Sequence, residues 1–191
     1  MNEPPSQNRR SIRLQGFDYA LPGAYFITIV TYQRECLFGE VVDGEVRPSV
    51  PGRIVLARWQ CLPRFFMVEL DASILMPNHF HGIIFITPAV EAFRDTQPVV
   101  ETTGSKPTFQ DASSQRPIGT KPGTLGAIVQ NFKSTSTRTI NKVRSTPGAK
   151  VWQRSLYDRI IRDEDELDRA REYIINNPLK RELDKEKPAC W

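Results

Sequence analysis

Residues 67–87, which read MVELDASILMPNHFHGIIFIT, decide the fold of this chain. A run rich in β-branched and aromatic residues lies on each side of the turn-forming Pro-Asn pair at 77–78. This pattern predicts an antiparallel β-hairpin. Because alternate residues of a strand point to the same face, His79 and His81 should share one face while Phe80 points into the core.

The segments around this hairpin predict a domain of mixed strands and helices. Helical periodicity, capping residues and turn signals mark the elements. Strands are expected at 24–32, 67–76 and 79–87, a fourth strand region at 151–162, a hairpin at 38–48, helices at 51–66 and 124–143, and a last helix that starts at the N-cap Asp163 and is stopped by Pro178. The order predicts an α+β fold, a ferredoxin-like β-α-β-β-α-β antiparallel sheet with helices on one face and an added C-terminal helix.

We expect one domain over the whole chain, 1–191, because 191 residues can bury a single core. Residues 1–23 form a basic N-terminal arm in this interpretation. Residues 88–123 are rich in Pro, Thr, Ser, Gln and Gly with few aliphatic residues, which is typical of a flexible insertion.

Composition predicts a cytoplasmic protein. The first ten residues hold no apolar run of the kind that a secretory signal requires, and no stretch is long enough to span a membrane. The three cysteines are odd in number and include no CxxC pair, so neither a disulfide framework nor a cysteine-based zinc site is expected. A membrane partner is not expected either.

Positive charge is concentrated in one part of the chain. The net charge is +4, but residues 116–162 hold ten Lys or Arg against one acid, Asp158, which gives 10 − 1 = +9 there and 4 − 9 = −5 elsewhere. Such a basic segment is the electrostatic signature expected for a polyphosphate partner. A solvated surface of no binding function remains the alternative.

The chemistry-bearing residues lie at two places in the sequence. His79 and His81 are the only histidines of the chain, and two imidazoles on one strand face are a natural pair of metal ligands. Tyr173 and Asn177 are four residues apart and share one face of the last helix, where the Asn177 amide oxygen could complete a two-histidine site. Histidines without function, a tyrosine at the core edge and an asparagine at a helix end remain open alternatives. No G-x-S-x-G elbow or glycine-rich phosphate loop competes.

The segment Pro-Asn-His-Phe-His-Gly at 77–82 resembles the HUH motif of single-tyrosine transposases, and within them the REP-associated tyrosine transposases of bacteria. His-x-His alone is weakly specific, but several stretches match in order and span most of the chain outside 88–123. They are Arg9-Arg10 to Gly23-Ala-Tyr-Phe-Ile-Thr28, Leu75-Met-Pro-Asn-His-Phe-His81, Phe132-Lys-Ser134, Val151-Trp-Gln-Arg154, Tyr157-Asp-Arg-Ile-Ile-Arg162 and Tyr173-Ile-Ile-Asn-Asn-Pro178.

The resemblance implies metal-dependent cleavage and strand transfer of single-stranded DNA, often next to hairpin-forming repeats. It makes Tyr173 the nucleophile of a 5′-phosphotyrosine intermediate, and His79, His81 and Asn177 the ligands of Mg²⁺ or Mn²⁺. The basic residues are candidates for contacts to DNA phosphates. They are Arg9, Arg10, Arg13, Lys133, Arg138, Lys142, Arg154, Arg159 and Arg162.

Three other functions fit the same sequence. A protein of the same ancestry could bind DNA hairpins without cleaving them, or a metal-dependent phosphodiesterase could use water in place of the tyrosine. A ferredoxin-like module that binds protein or RNA would need no metal. The sequence also leaves open whether the chain acts as a monomer or a homodimer.

Overall fold

The computed structural model describes residues 17–88 and 122–183, with side chains described as far as Pro178 in the last helix. Its elements follow the predicted order. They are β1 (Gly23–Val30), β2 (Gly39–Val42), β3 (Glu45–Pro48), α1 (Val50–Gln60), β4 (Val68–Met76), β5 (His79–Ile86), α2 (Leu125–Arg144), β6 (Tyr157–Ile161) and α3 (Glu164–Leu183). Predictions made for residues 1–16, 89–121 and 184–191, including most of the arm and of the insertion, lie outside the described residues.

Four strands form one antiparallel sheet in the order β4-β5-β1-β6, and β2 pairs with β3 in a separate hairpin. The central strand β1 therefore pairs with a strand from the middle of the chain and with one near its end. This is the order of a ferredoxin-like sheet, and the predicted α+β class is confirmed. The β2–β3 turn uses Asp43 and Gly44 with φ of 54° and 74°, as a two-residue hairpin turn requires.

The first two helices cover one face of the sheet. Aromatic side chains from α1, β5 and α2 meet there, because Trp59 lies 4.8 Å from Phe80 and 5.6 Å from Phe132 between ring centroids. Trp152 closes this core at 5.9 Å from Phe132, and its indole N–H donates to Ser136 Oγ at 3.0 Å. The Trp-Gln-Arg stretch thus begins with a core residue.

The last helix, α3, lies on the opposite face of the sheet. An apolar stripe holds it there, because Leu167 and Ile174 are buried against Ile83 of β5, with Ala170 partly buried beside them. The helix begins as its capping residues predict. The amide of Glu166 donates to Asp163 Oδ1 at 2.7 Å, and the Glu166 carboxylate accepts from the amide of Arg162 at 3.0 Å.

The glycine after the second histidine is required for packing. A Cβ on Gly82 would lie 2.7 Å from Cζ2 of buried Trp59 and 3.0 Å from Phe80. We expect Gly82→Ala to lower the free energy of unfolding by about 1–3 kcal/mol, because the indole must shift within a close-packed core. Urea unfolding measures this loss, and a variant as stable as the natural chain would contradict the packing described for this face.

One predicted helix and one predicted strand are shorter in the structure than the sequence pattern indicated. Helix α1 ends at Gln60 rather than near Phe66, since Pro63 has no amide to continue the helix and a short 3-10 turn follows at Leu62–Arg64. The predicted strand region 151–162 forms a strand only at Tyr157–Ile161. Val151 and Trp152 are buried in the core, and Trp152 makes one isolated bridge to Thr31, the residue after β1.

Two further expectations were wrong. Helix α3 does not stop at Pro178 but continues through it to Leu183, and Pro178 is buried, so packing outweighs the tendency of proline to end a helix. Cys36 is disulfide-bonded, although the cysteine count predicted no disulfide framework, while Cys61 has a free thiol.

The described end of the predicted arm packs on the core. Phe17 and Tyr19 are partly buried against it, and the carbonyl of Tyr19 accepts from the amide of Leu125 at 3.0 Å. The described part of the arm is therefore held at the start of α2. Among the helices within 17–88 and 122–183, none combines the length and apolar character that a membrane span requires.

Candidate functional site

The two histidines lie side by side on β5, on the face covered by α3. Their ring centroids are 4.6 Å apart, and the rings are nearly perpendicular. His81 is 4% exposed, whereas His79 is half-buried. The strand alternation predicted from the sequence therefore places both imidazoles on one surface.

Thr28 of β1 is the cross-strand neighbour of His81, and its Oγ1 lies 2.8 Å from His81 Nδ1. His81 Nε2 is buried and has no hydrogen-bond partner among the described residues. Burial lowers the pKa of His81 to about 4, so the ring is neutral at pH 7. If Nδ1–H donates to Thr28, the buried Nε2 carries a lone pair, which is the form that ligates a metal.

The second imidazole is oriented by the turn residue that precedes it. His79 Nδ1 lies 2.7 Å from Asn78 Oδ1, and an amide oxygen can only accept, so Nδ1 carries the proton. Nε2 of neutral His79 therefore has the lone pair. Asn78 itself is buried, which fixes the position of its amide. Strand pairing and the Pro-Asn turn together orient both rings.

Tyr173 extends from α3 over the histidines. Its ring centroid is 5.3 Å from that of His81 and 5.9 Å from that of Phe26, and both contacts are edge-on. The side chain is 43% exposed, so the phenol contacts the imidazole and also faces solvent. A residue that lies 92 positions after His81 in the sequence is thus brought to it by the packing of α3.

The donor set fits a divalent cation. The buried, unpartnered Nε2 of His81 is an atom for which a metal would supply the missing interaction. No cluster of three or more His, Cys, Asp and Glu side chains exists within residues 17–88 and 122–183. Asn177, the third predicted ligand, is half-buried one turn beyond Tyr173 on α3, and its binding to a metal stays a prediction.

An ion-pair cluster holds α3 on the sheet. Arg171 donates to both oxygens of Asp71 on β4, at 3.2 Å and 2.6 Å, and also contacts Glu164 and Asp168 at 3.3 Å and 3.1 Å. The hydrogen bond from Arg171 lowers the pKa of Asp71. Because Tyr173 is two residues further along α3, this cluster sets where the phenol lies.

We expect Arg171→Gln to lower the stability of the fold at pH 7, because it removes the cation that binds both oxygens of Asp71. The pKa of Asp71 is lower in the folded state than its unfolded value of 3.8, so the pair stabilises above that pH. The contribution is lost as pH falls through the folded pKa. Urea unfolding at pH 7 and pH 3 should therefore show a difference between variant and natural chain that narrows in acid. A difference that stays constant contradicts this role.

A cavity of about 420 Å³ opens beside the phenol, between α3, β1 and β6. The pairing of β1 with β6 forms the floor of this cavity. Thr28 pairs with Tyr157 and Phe26 pairs with Arg159, so these four side chains lie on one face of the sheet. Arg169, one turn before Tyr173, lines the side formed by the helix. We call this space the β6 cavity.

The predicted phosphate-binding residues do not form one surface. Arg159 lines the β6 cavity and pairs with Glu166 at 2.8 Å, and exposed Arg162 is close by at the start of α3. Arg138 and Lys142 are exposed on α2, which packs on the opposite face of the sheet.

Two more of the predicted phosphate-binding residues belong to the described part of the chain, and three do not. Lys133 donates to the carbonyl oxygens of Gln153 and Arg154 and so holds the segment before β6 against α2. Burial lowers the pKa of its ammonium group. Arg154 is exposed. Arg9, Arg10 and Arg13 fall outside the described residues. Binding of phosphate by each member of this set stays a prediction.

Sequence reasoning did not find three residues of this site. Thr28, Tyr157 and Arg169 are common residue types whose roles follow from strand register and from the docking of α3. Arg169 precedes Tyr173 by four residues on one helix face, which is the one signal that could have identified it. The other two depend on pairing between strands that are distant in the sequence.

Comparison with known proteins finds similarity both in sequence and in fold. No family model matches the chain. An uncharacterized protein of Haemophilus influenzae is 37% identical over 178 residues, which cover 93% of this chain and 92% of that protein. A REP-associated tyrosine transposase, solved bound to a REP hairpin, superposes with a TM-score of 0.54 over 91% of this chain and 74% of its own, at 15% identity. This structural likeness shows a shared fold.

Proposed function

We propose that this chain is a REP-associated tyrosine transposase. It belongs to one protein family with the uncharacterized Haemophilus influenzae protein. It also has the fold of a REP-associated tyrosine transposase. It would cut single-stranded DNA and transfer the strand through Tyr173. One observation carries the proposal, the edge-on contact of the Tyr173 ring with the buried, neutral imidazole of His81.

Tyrosine suits this chemistry because it keeps the phosphodiester energy in a covalent bond. The phenol oxygen of Tyr173 attacks the scissile phosphorus and loses its proton. The bond between phosphorus and the 3′ oxygen breaks, and that oxygen leaves with a proton as a free 3′-hydroxyl. The product is a 5′-phosphotyrosine, which a second 3′-hydroxyl can attack to rejoin strands without another energy source.

His79, His81 and Asn177 would hold a divalent cation, Mg²⁺ or Mn²⁺. When bound, the cation would polarise a non-bridging oxygen of the scissile phosphate. The chain's own part is to fix the donors, because Thr28 and Asn78 each bind one ring nitrogen. The Arg171–Asp71 pair then holds α3 so that the phenol stays over the imidazoles.

The proposed partner is a single strand of DNA with a hairpin-forming repeat. The transposase with the shared fold was solved bound to a REP hairpin, and we extend that partner to this chain as part of the proposal. A cytoplasmic location fits a DNA substrate. The phenol contacts an imidazole of its own chain, so the proposed reaction needs no second copy, and assembly as a homodimer would be a separate property.

The test is an assay for a covalent adduct. The full chain is incubated with single-stranded oligonucleotides that carry a hairpin stem and a randomised flank, with Mn²⁺ or with EDTA. We expect the 3′-labelled fragment to move with the protein on a denaturing gel and the 5′-labelled fragment to be released, in Mn²⁺ alone.

The other outcomes identify the rival functions. Cleavage without an adduct would indicate a phosphodiesterase that uses water. Hairpin binding without cleavage would indicate a catalytically silent DNA-binding protein. Adduct formation at full rate in EDTA would contradict the metal-dependent mechanism.

We expect Thr28→Val to weaken Mn²⁺ binding by about 10–100-fold, as loss of a partner that orients a ligand does. Valine keeps the shape of threonine and removes only the oxygen beside His81 Nδ1. Electron paramagnetic resonance titration of Mn²⁺ gives the affinity without any turnover. Thr137→Val, on α2 and half-buried, is the matched control. Equal affinity in both variants would show that Thr28 does not orient the ligand.

A further inference from the structure

The β6 cavity extends beyond the atoms that the proposed chemistry uses. Tyr173 and His81 form only one side of it, and the remaining wall comes from β1, β6 and the first half of α3. Its volume of about 420 Å³ lies in the range of pockets that bind small organic groups. The cavity therefore has room for a group adjacent to the reacting phosphate.

The walls combine aromatic rings with two arginines, Arg159 and Arg169, and one carboxylate, Glu166. Phe26, Tyr157 and Tyr173 contribute rings, and Ile161 and Ala170 add apolar surface. Tyr157 is 48% exposed, although it is a large ring on a sheet face. A flat, partly apolar ligand with an attached anion fits such a lining better than a bare anion does.

The two arginines of the cavity differ in what they already bind. Arg159 is held by Glu166 at 2.8 Å, and the same carboxylate accepts from the amide of Arg162. Among the residues that the structure describes, 17–88 and 122–183, Arg169 takes part in no ion pair. Its guanidinium is thus the cation that can reach a backbone phosphate without breaking an existing pair.

We propose that the β6 cavity binds one nucleobase of the strand, next to the scissile phosphate, with Tyr157 as the stacking surface and Arg169 on the neighbouring phosphate. This inference rests on the proposed function, because it takes single-stranded DNA as the substrate. A base seated there would fix which phosphate lies under the phenol of Tyr173. The cavity would then position the cleavage point on the strand.

The experiment compares two probes of equal charge, the oligonucleotide dT12 and a 12-mer of abasic deoxyribose phosphates. Fluorescence anisotropy with the full chain in EDTA reports binding without cleavage. We expect the natural chain to bind dT12 about tenfold tighter than the abasic strand, since stacking of a base on an aromatic ring contributes on that scale. Equal affinity for the two strands would overturn the proposal, and this arm needs no variant.

Variants assign the roles. Tyr157→Leu should weaken dT12 binding about tenfold and leave the abasic strand unchanged, while Tyr157→Phe keeps the ring and the affinity. Arg169→Ala should weaken both strands and reduce the salt slope by about 0.7, the value for one phosphate on a single strand. Arg144→Ala, an exposed arginine at the end of α2 on the other face of the sheet, is the matched control. Equal losses on both strands for Tyr157→Leu would contradict stacking.

The adduct assay separates this inference from the function on which it rests. Base-dependent binding without any adduct would remove the transposase proposal and leave the cavity assignment. Adduct formation together with DNA binding that Tyr157→Leu does not weaken would support the transposase proposal and remove the cavity assignment.

Discussion

Tyr173→Phe is expected to reduce covalent protein–DNA adduct by about 10³-fold or more, because phenylalanine keeps the ring and removes the attacking oxygen. The ring contacts with Phe26 and His81 would remain, so the fold and DNA binding should be unchanged. Denaturing gels with 3′-labelled hairpin DNA and Mn²⁺ measure the adduct, and anisotropy measures binding.

Tyr32→Phe is the matched control for this substitution. Tyr32 is half-buried after the end of β1, where Lys150 Nζ lies 5.0 Å from its ring centroid. Removing that hydroxyl should leave adduct formation intact. If instead the Tyr173→Phe variant forms the adduct as fast as the natural chain, another residue is the nucleophile and the proposed mechanism is wrong.

His81→Leu is expected to abolish the stabilisation of the chain by Mn²⁺ while changing the metal-free free energy of unfolding by no more than about 1 kcal/mol. The imidazole is buried with one unpartnered nitrogen, and Thr28, which bonds the other nitrogen, is only half-buried and can bond water instead, so replacing the ring by an apolar group of similar size costs little. A ligand that binds only the folded state raises the melting temperature, by an amount that grows with the logarithm of its concentration divided by its Kd. Thermal unfolding with and without Mn²⁺ therefore separates a metal ligand from a structural histidine, and the adduct should be lost as well.

Phe80→Leu is the matched control on the same strand, since Phe80 points to the opposite face. It should cost about 1–2 kcal/mol of stability and keep the Mn²⁺ response. A His81→Leu variant that loses several kcal/mol without metal, together with no Mn²⁺ response in the natural chain, would make His81 a core residue rather than a ligand.

Local patterns in the sequence were sufficient for much of the fold. Strand alternation predicted that His79 and His81 share one face and that Phe80 takes the other, and the N-cap Asp163 predicted where α3 begins. These signals depend on neighbours a few residues apart. They succeeded because strand period and helix capping are local properties.

The features that the sequence did not predict depend on distant contacts. The floor of the β6 cavity depends on the pairing of Thr28 with Tyr157, and no local pattern in the sequence predicts that register. Burial keeps Pro178 inside α3 against its own preference. Lys133 was expected on DNA as one member of a basic segment, but its amine is directed to two backbone carbonyls by the packing of α2 against the chain before β6. Charge counted along the sequence does not show which side of a sheet each cation faces.

The most direct test of the account is to map the DNA-linked residue by mass spectrometry. After reaction with hairpin DNA and Mn²⁺, the adduct is digested with nuclease and trypsin. The tryptic peptide of residues 172–180, EYIINNPLK, contains a single tyrosine, Tyr173. The account predicts a nucleotide joined through its 5′ phosphate to that residue. A nucleotide attached to any other residue, or cleaved DNA with no linked peptide, would contradict it.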